Sequence, residues 1–119
     1  MDTFKIELER LDNILYHQTG SRCAKIYRPP EGRFTRKNLE FAKSLGYKTV
    51  FWSVAYADWD NNAQPDPASA KKKILDNIHN GAVILLHPTS ATNAAILGDL
   101  IDEIRNRGYE IKSIENLFN

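Results

Sequence analysis

Apolar residues recur at Phe4, Leu8, Leu11 and Leu15, spaced four, three and four apart. This pattern predicts a helix over residues 3–18 with one apolar stripe, closed by Gly20. A short β-like run, Ala24 to Tyr27, is cut off by Arg28-Pro29-Pro30, because two consecutive prolines remove two backbone donors. Thr35 stands where an N-cap opens a second helix to Leu45, with Leu39, Ala42 and Leu45 inward. Gly46 sits at the left-handed position past its end. Thr49 to Val54 is apolar on both faces and predicts a strand covered on both sides. After a polar loop over 57–67, Ala68 to Asn80 predicts a third helix with Ile74 and Ile78 facing in. Gly81 ends it before a second buried strand, Ala82 to Leu86, which stops at His87-Pro88. A fourth helix is expected over about Thr92 to Arg107, with Ile96, Leu100 and Ile104 on one stripe and Leu97 and Ile101 beside it. Gly108 closes it, and Tyr109 to Ile114 reads as a last strand.

Helices alternating with apolar strands imply right-handed crossovers and a parallel sheet. The expectation is an α/β chain: part of a (β/α) barrel, with about four parallel strands alternating with helices. A small open three-layer sheet is the second choice. With 119 residues, a single domain spanning 1–119 is the default.

Composition changes this picture little. Hydrophobic residues make up 42% and charged residues 26%, with a net charge of +1. These values suit a soluble globular domain and do not point to a nucleic acid as partner. Cys23 is the single cysteine, which excludes an internal disulfide framework. Residues 1–20 are charged and amphipathic, without the apolar segment of a secretory signal. The longest apolar run, Ala82 to Leu86, is too short for a membrane segment.

In parallel α/β folds, ligands gather beyond the carboxyl ends of the strands. Here those ends carry Arg28, then Asp58 and Trp59, then His87. Each has a plainer reading. Arg28 serves equally well as a carbonyl cap, a lone loop Asp58 more often makes an Asx turn, and Trp59 suits a core cover. His87 is different, because it follows five apolar residues and precedes Pro88, so its ring is held at a strand mouth. Histidine there suits a general acid near neutral pH, and a carboxylate such as Asp58 would hold its imidazolium. His17 and His79 read as cations near helix ends. Lys71-Lys72-Lys73 reads as a solvated face.

Three segments resemble motifs of the polysaccharide deacetylases, carbohydrate esterase family four. Tyr27-Arg28-Pro29-Pro30-Glu31-Gly32-Arg33-Phe34-Thr35 resembles the Arg-Pro-Pro motif. Thr49-Val50-Phe51-Trp52-Ser53-Val54-Ala55-Tyr56-Ala57-Asp58-Trp59 resembles the Asp-Trp motif, in the Phe-Trp-Ser form of the muramic-acid deacetylases. Ile84-Leu85-Leu86-His87 resembles the Leu-x-His motif, and Gly108 to Leu117 resembles the closing strand and helix. The resemblance implies a distorted (β/α) barrel and metal-dependent removal of acetyl groups from glycans such as peptidoglycan, usually outside the cytoplasm. By the same resemblance, Arg28 pairs with the catalytic base, Asp58 tunes the catalytic histidine and His87 protonates the leaving amine. Trp59 walls the substrate groove, Leu85 lines the acetate pocket, and Pro30 and Tyr56 contact the glycan.

The family's first motif, Thr-Phe-Asp-Asp, and its second, His-Ser/Thr-x-x-His, have no counterpart: Thr3-Phe4 is followed by Lys5-Ile6, and no His-x-x-x-His occurs. The expectation is therefore the C-terminal half of such an enzyme, without the zinc or similar divalent ion of the full-length family and inactive by itself. As partners it implies a glycan and either a homodimer or the missing N-terminal half. The alternative is a non-catalytic glycan-binding or remnant module of the same fold.

Overall fold

The structure, a computed structural model, describes residues 2–119. The chain divides into two compact units, Met1–Phe51 and Trp52–Asn119, each described by itself.

In the first unit, α1 (Asp2–Thr19) leads to β1 (Ile26–Tyr27), a 3-10 turn (Pro30–Gly32), α2 (Arg36–Ser44) and β2 (Lys48–Thr49). The strands are parallel, with Ile26 opposite Lys48 and Tyr27 opposite Thr49. Thr35 caps α2 by accepting the Asn38 N–H, and Gly46 at φ +83° lets the chain turn back beyond it. Its neighbour Tyr47 then donates its backbone N–H to Ala42 O at 3.0 Å. Phe4 packs edge-on against Tyr27 at 5.1 Å and lies 6.0 Å from Phe41, so it seats α1 on β1 and α2. The stripe on α1 differs from expectation at one position. Phe4, Leu8 and Leu15 are half-buried, whereas Leu11 is 59% exposed. Asp12 takes the inner place because its carboxylate accepts the Cys23 N–H at 2.7 Å and pairs with Arg22 at 2.9 Å.

In the second unit, α3 (Pro67–Asn77) and α4 (Ala91–Asn106) pack on two extended stretches, and a 3-10 turn (Ile114–Phe118) follows. The stretches touch at one parallel bridge, Val54 with Ile84, fixed by Ser53 N–H to Val83 O (3.0 Å) and Leu85 N–H to Val54 O (2.9 Å). The core gathers Val54, Tyr56, Ala70, Ile74, Leu75, Ile96, Leu100 and Ile104. The expected inner stripe of α4 is buried, while Leu97 beside it is 47% exposed. Asp66 caps α3, accepting the Ser69 N–H at 2.9 Å ahead of Pro67. Replacing it (Asp66→Ala) is expected to lower stability by removing this cap, read as a lower urea midpoint at unchanged slope.

The structure is α/β with a small parallel sheet, and its strands fall short of the sequence pattern. Thr49 to Val54 is not one continuous strand. It leaves β1 after the Val50 N–H bonds Tyr27 O at 2.8 Å and meets Val83–Leu85 only from Ser53 on. Ala82 to Leu86 contributes one bridge. Tyr109 to Ile114 is not a strand at all, because a strand needs a laddering neighbour and none of the described residues offers one.

Candidate functional site

From Val54 onward, alternate residues point inward. Val54, Tyr56 and Asp58 are 3%, 5% and 1% exposed, and the residues between are more open. This two-residue period carries an acidic side chain into a position the first two occupy with core side chains. The parallel Val54–Ile84 bridge runs the two stretches side by side, so His87 arrives next to Asp58, one position short of direct register, and a residue before proline favours extended backbone.

Asp58 grips His87 twice. Its Oδ1 meets the ring Nδ1 at 2.7 Å, and its Oδ2 accepts the His87 backbone N–H at 2.7 Å. Oδ2 also accepts from Asn93 Nδ2 at 2.6 Å. Burial alone would raise the Asp58 carboxyl. The hydrogen bonds from the His87 N–H, Asn93 and the His87 ring, together with the charge of His87, outweigh it and hold Asp58 below the usual carboxylate range. An ionised carboxylate only accepts, so Nδ1 carries the proton. Nε2, on a side chain about one-third exposed, is then the atom able to exchange a proton with a bound molecule.

A second layer supports this pair. Asn93 Nδ2 also donates to His87 O at 3.0 Å, and the Tyr56 hydroxyl donates to Asn93 Oδ1. Ser90 caps α4 by accepting the Asn93 N–H at 3.0 Å and donates from Oγ to Gln64 Oε1 at 2.6 Å. Gln64 Nε2 in turn donates to the carbonyls of Asp58 (3.1 Å) and Asp60 (2.8 Å). No buried side-chain polar atom among the described residues lacks a partner.

Of the residues marked from sequence, the structure brings Asp58 and His87 into direct contact. Trp59, next to Asp58, is 66% exposed, and Leu85 is half-buried. Arg28 and Pro30 belong to the first unit, Arg28 directly after β1 and Pro30 at the start of the 3-10 turn, and both are exposed. Tyr56 requires a correction. Its ring lies in the core and its hydroxyl is committed to Asn93, so it presents no face on which a sugar could stack. Asn93, Ser90 and Gln64 were not marked. The readable signal was Ser90-x-x-Asn93, which moves the cap of α4 two residues ahead of the expected Thr92 start.

Family four carbohydrate esterases are generally metal-dependent. The residues present do not fit a metal: no group of three His, Cys, Asp or Glu side chains among the described residues could hold an ion. The nearest pair, Asp58 and His87, is spent on itself. Among the described residues, no helix is long and apolar enough to cross a membrane.

No protein-family model matches the chain. It is 40% identical over 116 residues to the peptidoglycan-N-acetylmuramic acid deacetylase PdaA of Bacillus subtilis, covering 98% of this chain and 44% of that protein. It is 31% identical over 112 residues to the peptidoglycan-N-acetylglucosamine deacetylase PgdA of Listeria monocytogenes, covering 94% and 22%. The solved structure of Bacillus subtilis PdaA, a family 4 carbohydrate esterase, superposes with a TM-score of 0.92 over 98% of this chain and 50% of that one. The homologues of this chain are peptidoglycan deacetylases of carbohydrate esterase family 4, and the chain spans about half their length or less.

Proposed function

We propose that this chain forms part of the single catalytic domain, a (β/α) barrel, of a metal-dependent peptidoglycan N-deacetylase, and that it supplies the proton donor. The carrying observation is the double grip of buried Asp58 on the ring and backbone of His87. With Nδ1 held by the carboxylate, His87 acts through Nε2. After a water oxygen has added to the acetyl carbonyl carbon, His87 protonates the departing nitrogen as the carbon–nitrogen bond of the acetamido group breaks, leaving acetate and a free amine on the sugar. Asp58 stabilises the charged ring in that cycle. The exposed Trp59 offers its face to the glycan, Leu85 lines the acetyl pocket, Pro30 borders the groove, and Arg28 orients the catalytic base. That base and the metal come from residues beyond these 119. The family motifs that carry them do not occur in the sequence.

Two expected results follow for the chain by itself. It releases no acetate from chitooligosaccharides or peptidoglycan fragments, and it retains no stoichiometric zinc after dialysis, because three protein ligands are the usual minimum for a catalytic site. Metal-dependent turnover by the pure chain, or tight zinc held through His87, would overturn this division of labour. The reading also takes the chain to pair, either with the portion of the fold it lacks or with a second copy. Light scattering on the isolated chain should give about twice 13.6 kDa, and a monomer mass would reject the second option. A non-catalytic glycan-binding role draws support from one observation, the exposure of Trp59. Binding of peptidoglycan fragments by this chain without any activity in the complete fold would favour it.

A further inference from the structure

We infer that Asn93 is the positioning residue that sets which nitrogen of His87 carries the proton. This rests on His87 acting as the proton donor, but its test does not depend on turnover. Asn93 is 6% exposed and its side chain meets three partners. Two are pure acceptors, Asp58 Oδ2 and His87 O, and both face Nδ2. The third, the Tyr56 hydroxyl, faces Oδ1. A flipped amide would set its oxygen against a carboxylate and a carbonyl, so the chemistry admits one orientation.

The consequence passes to Asp58. Its Oδ2 is occupied by two donors, the His87 N–H and Asn93, which stops the carboxylate rotating and leaves Oδ1 aimed at Nδ1. The same Asn93 amide holds the carbonyl of His87, so it fixes carboxylate and ring backbone together. Helix capping does not explain this side chain. The α4 cap uses the Asn93 backbone N–H on Ser90 Oγ. A side chain at this position can reach back to cap the helix start, but here it turns toward the Asp58–His87 pair. Tyr56, buried in the core, anchors the amide from the other side and acquires a role in place of sugar stacking.

The test is nitrogen NMR of the neutral histidine ring in the intact chain. The wild type should show His87 with its proton on Nδ1. In Asn93→Ala the ratio of Nδ1–H to Nε2–H forms should fall at least about tenfold, the factor set by losing one charge-assisted hydrogen bond. Asp66→Ala, which weakens the fold through an unrelated cap, should leave the ratio unchanged. A folded Asn93→Ala that keeps the wild-type ratio overturns the role of Asn93 while sparing the Asp58–His87 pair. A wild-type ring protonated on Nε2 overturns both. If Asn93→Ala does not fold, the decision passes to the wild-type Asn93 side-chain amide protons. Slow solvent exchange of both supports the role, and fast exchange rejects it.

Discussion

Asp58→Ala is expected to destabilise the second unit by about 3 kcal/mol. The cost has a specific source: two buried donors, the His87 backbone N–H and an Asn93 N–H, lose their acceptor at about 1–3 kcal/mol each. Urea unfolding followed by circular dichroism reads it as a lower midpoint at unchanged slope. Asp58→Asn keeps the volume and one acceptor oxygen, and should fall between wild type and Asp58→Ala. Acid behaviour should follow the same side chain. The Asp58 carboxyl is depressed in the folded chain, so below its unfolded value, about 3.9, the unfolded state binds more protons. The stability Asp58 contributes is therefore fully present above about pH 5 and lost as pH falls through the folded value. Asp12 and Asp66 are depressed as well, each chiefly by a backbone N–H, from Cys23 and Ser69, and add slope of the same sign. In Asp58→Asn the part of the acid slope due to Asp58 should vanish while theirs remains. An unchanged slope would show that the carboxylate is not ionised in the folded chain.

The largest effect on catalysis is expected at His87, once the chain is joined to the complementary portion of a relative such as Bacillus subtilis PdaA. His87→Ala should lower kcat by about 10²–10⁴, the range for losing a general acid, with KM nearly unchanged. Proton donation to the departing nitrogen belongs to the transition state and not to substrate binding. Trp59→Ala should do the reverse, raising KM more than it lowers kcat, since a stacked ring holds the glycan in both states. Loss of turnover of less than tenfold in His87→Ala would remove the histidine from the proton-donating role.

Helices were the most legible part of the fold. Their signals are local: Thr35 capping α2, the inward Ile74 of α3, and the Ile96, Leu100, Ile104 stripe of α4 each lie within a few turns of the residues they organise, although the Asp66 cap of α3 lies in the stretch that the sequence pattern reads as loop. Strands were less legible. Thr49 to Val54 and Tyr109 to Ile114 have the apolar content of buried strands, but a strand exists only where a neighbour completes its hydrogen bonds. That neighbour is remote in sequence, or outside these residues altogether. The site divides in the same way. Asp58 and His87 could be marked because each follows an apolar run, and because the Asp-Trp and Leu-x-His segments resemble a known family. Asn93 lies in the first turn of α4, where Ser90-x-x-Asn93 signals a helix start but nothing marks its side chain as a partner of Asp58.

The amino-acid sequence by itself determined the four helices, the marking of Asp58 and His87 behind apolar runs and the kinship with peptidoglycan deacetylases, because these reside in short motifs and local periodicity. Only the tertiary structure decided that Asp58 is fully buried and bonded to both ring and backbone of His87, that Tyr56 serves the core instead of the glycan, and that Asn93 joins the two. Those outcomes depend on contacts across 29 to 37 positions, where packing and the pairing of every buried polar group, not local propensity, choose the partner.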